Sequence, residues 1–134
     1  MLCGRRNIKG SVFFSDDGKL YTFGENENGK LGLTPSQLSE TSRPQPVATK
    51  DGYFIAVACG AGHTVALTKE GTVLSFGDGS RGQLGQGTRI QELSEPAEVQ
   101  QLSQFKIKSV SCGDCHSAVI SGMCLKFSIL KAEL

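Results

Sequence analysis

Cys112-Gly113-Asp114-Cys115-His116 reads C-x-x-C-H, the spacing at which two thiols and an imidazole attach a c-type haem. The same Cys112, Cys115 and His116 are three ligands of a candidate zinc set, because zinc takes cysteine sulfur and histidine nitrogen as tetrahedral ligands. Gly77-Asp78-Gly79-Ser80-Arg81-Gly82 reads G-x-G-x-x-G, the spacing at which a dinucleotide-binding turn brings backbone close to a pyrophosphate. His63 and His116 are candidate general bases. No serine or cysteine nucleophile recurs beside them with an orienting carboxylate, so no triad is read.

What these residues can do depends on the elements that carry them, and those elements repeat. Cys59-Gly60-Ala61-Gly62-His63-Thr64 returns as Cys112-Gly113-Asp114-Cys115-His116-Ser117, an offset of 53 residues. Gly18 to Gly24 returns at the same offset as Gly71 to Gly77, and Asn28 to Gly32 as Arg81 to Gly85. Two softer matches drift by a residue: Pro44-x-x-Val47 with Pro96-x-x-Val99, and Ile55 with Ile107. The repeat gives each chemical motif a structural reading. Cys115 corresponds to Gly62, so C-x-x-C-H arises where one variable position is cysteine, and no second C-x-x-C completes a zinc set. The middle glycine of G-x-G-x-x-G is lost in the other copy, Gly24 to Gly29. Gln83 to Gly87 is too glycine-rich for the helix whose N-terminus would hold a phosphate. The histidines open apolar strands at equivalent positions and are read as core residues with satisfied hydrogen bonds. No catalytic, cofactor-binding or metal-binding residue is assigned, no cofactor is expected, and the chain is read as not an enzyme.

One repeat reads as four short strands. Phe54–Ala58 is the first, and the run Ala56-Val57-Ala58-Cys59-Gly60 is of small residues suited to a crowded axis. His63–Thr68 is the second, and Lys69-Glu70-Gly71 turns into the third, Thr72–Phe76. A glycine-rich segment, Gly77 to Gly87, leads through a polar loop to an outer strand, Pro96–Val99, where proline suits an edge. Val65 and Leu67 alternate with Thr64 and Ala66, so the middle strands are apolar on both faces and need neighbours on both sides. Four-stranded sheets stacked around an axis make a β-propeller.

V-x-C-G-x-x-H-[ST]-x-x-[LI] over Val57 to Leu67, G-x-[LV]-x-[ST]-F-G over Gly71 to Gly77, and G-x-L-G over Gly82 to Gly85 resemble, in that order, the RCC1 repeat. Partial copies on either side extend the likeness across roughly residues 10–121. Its structural positions are Phe23, Gly24, Gly29, Leu31 and Gly32 in the first copy. In the second they are Cys59, Gly60, His63, Gly71, Phe76, Gly77, Gly82, Leu84 and Gly85, and in the third Cys112, Gly113 and His116. Phe23 to Leu33 is especially similar to a late blade in the retinitis pigmentosa GTPase regulator branch of the family. The resemblance implies a seven-bladed propeller, and 134 residues hold only part of one. The expected fold is therefore all-β: a partial propeller of four-stranded blades, one full and two incomplete, not closed. The first copy has Gly10 where His63 and His116 stand. In the third, Cys124 falls where Gly71 stands, Ile129 where Phe76 stands and Leu130 where Gly77 stands. The expected divisions are an N-terminal segment over residues 1–9, repeats over 10–121 and a divergent tail over 122–134, as in a truncated isoform.

Composition sets the class of partner. Fourteen basic and thirteen acidic residues leave a net charge of +1, with no electrostatic case for nucleic acid or a membrane surface. No apolar run approaches a membrane span, and Met1 to Asn7 carries arginines without the apolar stretch of an export signal. The five cysteines are then expected as free thiols in the cytoplasm or nucleus. Lys131-Ala132-Glu133-Leu134 is similar to an ER-retention signal and is read as chance. The resemblance implies a protein-interaction scaffold in ciliary and centrosomal transport. Its partners would be a prenyl-binding delta subunit, a coiled-coil interacting protein and Arf-like small GTPases. The contrasting readings are a guanine-nucleotide releasing factor for a small GTPase and a truncated product without independent activity. Candidate rim segments are Glu25–Asn28, Ser36–Ser42, Asp78–Arg81 and Thr88–Glu95, with Glu25, Glu27, Asp78 and Arg81 as candidate partner contacts. Uncovered blade faces lead to the further expectation of a marginal or self-associating chain.

Overall fold

Short runs of alternating side chains, punctuated by glycine turns, build three antiparallel sheets. The computed structural model describes residues 2–3, 10–50, 52–87, 90–122 and 127–130. The first sheet holds β1 (Leu2–Cys3), β2 (Gly10–Phe14), β3 (Leu20–Gly24) and β4 (Gln45–Pro46). The second holds β5 (Phe54–Cys59), β6 (His63–Thr68), β7 (Val73–Asp78) and β8 (Glu92–Glu98). The third holds β9 (Ile107–Cys112), β10 (Ser117–Ser121) and β11 (Phe127–Leu130), with β10 in the middle. Spatial order follows chain order in each sheet, so consecutive strands of a sheet are antiparallel neighbours. Helical residues among those described are confined to short 3-10 turns at Glu27–Gly29, Pro35–Glu40 and Gln100–Leu102.

The sheets pack face to face through the alternation of β6, all six residues of which are buried. Ala66 points to the first sheet, joining Val12, Leu20, Leu31, Leu33 and Val47. Val65 and Leu67 point the other way, joining Val99, Leu102, Ile107 and Val119. Each such fully buried aliphatic side chain stabilises the fold by about 1.5–3 kcal/mol. The second sheet is thus sandwiched, as its two-sided apolar pattern requires. The architecture is a partial β-propeller that does not close.

The register carries the 53-residue repeat into three dimensions. His63 pairs with Gly77 and Gly10 pairs with Gly24, so Gly10 does occupy the histidine position. Val47 N–H donates to Leu20 O at 2.9 Å and Val99 N–H to Val73 O at 2.9 Å, which makes Val47 and Val99 equivalent. The match of Ile55 with Ile107 is corrected. Phe54 N–H donates to Gly18 O and Ile107 N–H to Gly71 O, so Phe54 is the counterpart of Ile107. Ile55 lies at a bulge in β5 and is 43% exposed, against 3% for Ile107.

Three further differences concern element bounds. The outer strand begins at Glu92 and not at Pro96, taking Glu92 to Glu95 out of the expected rim loop. It tolerates Pro96 because β8 is an edge, with a register shift opposite Ser75 to Gly77. The first copy, expected incomplete, forms four strands, the first only two residues long. The third copy places Leu130, and not Ile129, opposite Ser117, as Phe76 lies opposite Thr64.

Candidate functional site

The histidine and hydroxyl positions of the repeat form a chain of hydrogen bonds between sheets. His63 opens β6 and is 1% exposed. Its Nε2 lies 2.8 Å from Ser117 Oγ, the first residue of β10. Ser117 Oγ in turn donates to Gln83 O at 2.7 Å. A hydroxyl has one proton, already given to Gln83, so His63 must donate from Nε2. His63 is thus a buried residue tied by its side chain to the next sheet. One repeat earlier, Thr64 Oγ1 donates to Lys30 O at 3.0 Å. Within each sheet, Thr22 Oγ1 donates to Leu31 O at 2.8 Å and Ser75 Oγ to Leu84 O at 2.7 Å. Two successive carbonyls of each G-x-L-G loop therefore hold two hydroxyls, one from their own sheet and one from the next.

This arrangement explains the glycine in C-G-x-x-H. A Cβ on Gly60 would lie 2.0 Å from His63 Cε1, and one on Gly113 would lie 1.9 Å from His116 Cε1. The imidazole lies over the glycine in both copies. Cys112 belongs to β9 and its Sγ is 3.7 Å from Ser117 Oγ, whereas Cys115 is exposed in the following turn. Among the described residues no three His, Cys, Asp or Glu side chains are grouped to hold a metal. His116, read from the repeat as a core histidine, is exposed, unlike His63, and Cys115 stands where the complete copy has Gly62.

The G-x-G-x-x-G segment also serves its own chain. A Cβ on Gly79 would lie 2.5 Å from Ile90 O, and Gly79 N–H donates to Gln91 O at 2.8 Å. The close approach that a nucleotide turn would offer to pyrophosphate is taken by residues 90–91. Turns follow it, with Gly82 N–H donating to Gly79 O and Gly85 N–H to Gly82 O.

The rim residues lie at the tips of these fixed loops. Glu25, Glu27 and Arg81 are exposed, and Asp78 is half-buried at the end of β7. Asp78 Oδ1 accepts the Ser80 N–H at 2.9 Å, and Arg81 N–H donates to Gln83 Oε1 at 2.8 Å. The two loops meet at Gly62, where a Cβ would lie 3.2 Å from Asn28 Nδ2 and 3.3 Å from Asp78 Cβ. The 3-10 turn Glu27–Gly29 is seated on β8, with Gly29 against Ser94. Of the other rim segments, Ser36 to Glu40 falls within a 3-10 turn, and Thr88 and Arg89 lie outside the described residues.

Two features escaped sequence reasoning. Thr22, Thr64, Ser75 and Ser117 act as the ties between loops and sheets, signalled only by the recurrence of Ser or Thr at two repeat positions. A cleft of about 740 Å³ lies at the outer edge, lined by Lys50, Tyr53, Thr68, Glu70, Glu95 and Glu98 among others. It forms because Tyr53 packs on Gly18 in the first sheet's turn and bonds Asp16 O, a tertiary placement with no sequence signature.

Known proteins share this organisation. The chain is 36% identical over 111 residues to the protein RCC2 homolog of Danio rerio, covering 82% of this chain and 22% of that protein. It is 48% identical over 85 residues to the X-linked retinitis pigmentosa GTPase regulator of Canis lupus familiaris, covering 63% of this chain and 8% of the relative. The crystal structure of yeast RCC1 (Prp20) bound to Kap60 superposes with a TM-score of 0.72 at 20% identity, over 84% of this chain and 28% of that one. That likeness concerns the fold alone, and the chain spans less than a third of each of these proteins. The family model described as the regulator of chromosome condensation (RCC1) repeat matches residues 17–67 and 70–120. Those spans take in most of the chain and both complete copies of the hydroxyl ties between loop and strand, so the chain belongs to the RCC1-repeat family.

Proposed function

We propose that this chain is a non-catalytic interaction module that presents its rim loops to protein partners in small-GTPase regulation. The observation that carries this reading is the contrast between tip and base of each G-x-L-G loop. The tips bear exposed Glu27 and Arg81, while the bases are held by buried hydroxyl-to-carbonyl bonds from two sheets. Charged tips on a fixed base suit specific protein recognition, because little conformational entropy is lost on binding. Glu25 and Asp78 complete the proposed contact set. The likeness to a GTPase regulator supports small GTPases as partners and, more specifically, ciliary or centrosomal transport factors. It also supports a cytoplasmic place at the cilium or centrosome, with the nucleus as the alternative. Among the described residues no helix is long and apolar enough to cross a membrane.

The test is a pull-down of a panel of small GTPases and ciliary transport factors, with a nucleotide-release assay on every GTPase retained. Capture that falls at least tenfold in E27K/R81E, without faster release, supports the scaffold. Faster release assigns the chain to exchange factors instead. Failure to capture any member of the panel counts against the GTPase and ciliary reading.

A further inference from the structure

We propose that the cleft between the outer edges of the first and second sheets is a further docking site, which takes an extended, arginine-bearing segment of a partner protein. The cleft holds about 740 Å³, within the range of about 300–1,000 Å³ that ligand clefts occupy. It lies at the far end of the strands from the rim loops. β6 begins at His63, beside the loop tips that meet at Gly62, and ends at Thr68, which lines the cleft. One wall is the link from the first sheet to the second, and the other is the second sheet itself. Further repeats stacked on either end would therefore leave the cleft open.

One repeat later the chain uses its link differently. The turn Gln100–Leu102 buries Leu102 in the core that contains Val99 and Ile107, with Phe105 packed against it. The link from Val47 to Phe54 is one residue shorter than that from Val99 to Ile107. It has exposed Lys50 three residues after Val47, where Leu102 follows Val99. The floor of the cleft is left to half-buried Leu74, Pro96 and Ala97 and to the ring of Tyr53, which is 44% exposed. Lys69 N–H donates to Tyr53 O at 2.7 Å and Phe54 N–H to Gly18 O at 2.9 Å, so the two walls are tied together before a partner arrives.

Charge complementarity names the occupant. Among the described lining residues, three exposed glutamates, Glu70, Glu95 and Glu98, stand against one lysine, Lys50. Tyr53 already receives a cation, since Lys69 Nζ lies 5.8 Å from its ring centroid. A guanidinium stacks on such a ring and pairs with carboxylates, whereas an acidic segment is repelled. Glu95 and Glu98 are three positions apart on β8, a rise of about 10 Å, so an extended segment brings one arginine to each. Apolar residues between those arginines cover Leu74, Pro96 and Ala97. Pro96 has no N–H to offer an added strand, so recognition runs through side chains.

Fluorescence anisotropy on the full chain tests this with a short labelled peptide of alternating arginine and leucine, and with its analogue carrying glutamate for arginine. The arginine peptide should bind and the glutamate peptide should not. E95K/E98K should weaken binding at least about tenfold, and E92K/D114K, an equal change of net charge at the other end of the strands, should leave it unchanged. K69A should tighten binding about two- to fivefold by freeing the Tyr53 ring. All these substitutions fall on exposed side chains and should keep the circular dichroism of the wild type. No binding of the arginine peptide, equal binding of the two peptides, or equal loss in both double variants would overturn the proposal. Unchanged or weaker binding in K69A would overturn the part given to Tyr53. The readouts do not involve the rim loops, so this test and the capture of small GTPases succeed or fail separately.

Discussion

Ser117 joins two sheets through a single hydroxyl, accepting from His63 and donating to Gln83. Removing it strands a buried donor and a buried acceptor at once, which costs more than the loss of one bond. S117A should destabilise the chain by about 1–3 kcal/mol, read from urea midpoints. The two histidines of the same motif should respond differently. H63A empties a buried, hydrogen-bonded position and should cost about 2–4 kcal/mol, whereas H116A on the exposed face should stay within about 0.5 kcal/mol for the monomer. Equal effects would mean that the motif acts within its own sheet and not between sheets.

At the scale of the element, the third strand and the preceding loop fit by shape. Phe76 is fully buried, and a Cβ on Gly32 would lie 2.8 Å from its ring at a backbone φ of +65°. Gly32 is thus required twice, for its left-handed backbone and for the space it leaves. F76A should cost about 3–5 kcal/mol and F23A, half-buried on the outer face, clearly less. Protection should rank the strands in the same way: amides of β6, buried along its whole length, should exchange slowest, and those of the exposed edge β8 far faster. Hydrogen exchange read by mass spectrometry checks the order.

Across the whole molecule, stability is a sum of sheets and of the contacts between neighbours, as in other repeat stacks. Two internal contacts are made, one on each face of the second sheet. V12A at the first and V119A at the second should therefore each cost about 1–3 kcal/mol and add in the double variant, read from urea midpoints. Costs that fail to add would mean that the two contacts form as one unit.

The 53-residue offset, the strands around His63 and the two-sided burial of β6 were all legible in the sequence by itself. Each rests on local alternation or on residues that recur because one packing solution recurs. The burial of His63 was legible for the same reason, whereas His116, expected in the core as its equivalent, is exposed. What only the tertiary structure decided lies where spacing drifts or where contacts join distant residues. A bulge at Ile55 made Phe54 the true counterpart of Ile107, and β11 pairs with β10 one residue later than the repeat offset predicts. The different fates of His63 and His116 could not be read from identical motifs. They depend on whether another sheet lies alongside, which is a fact of packing and not of local sequence.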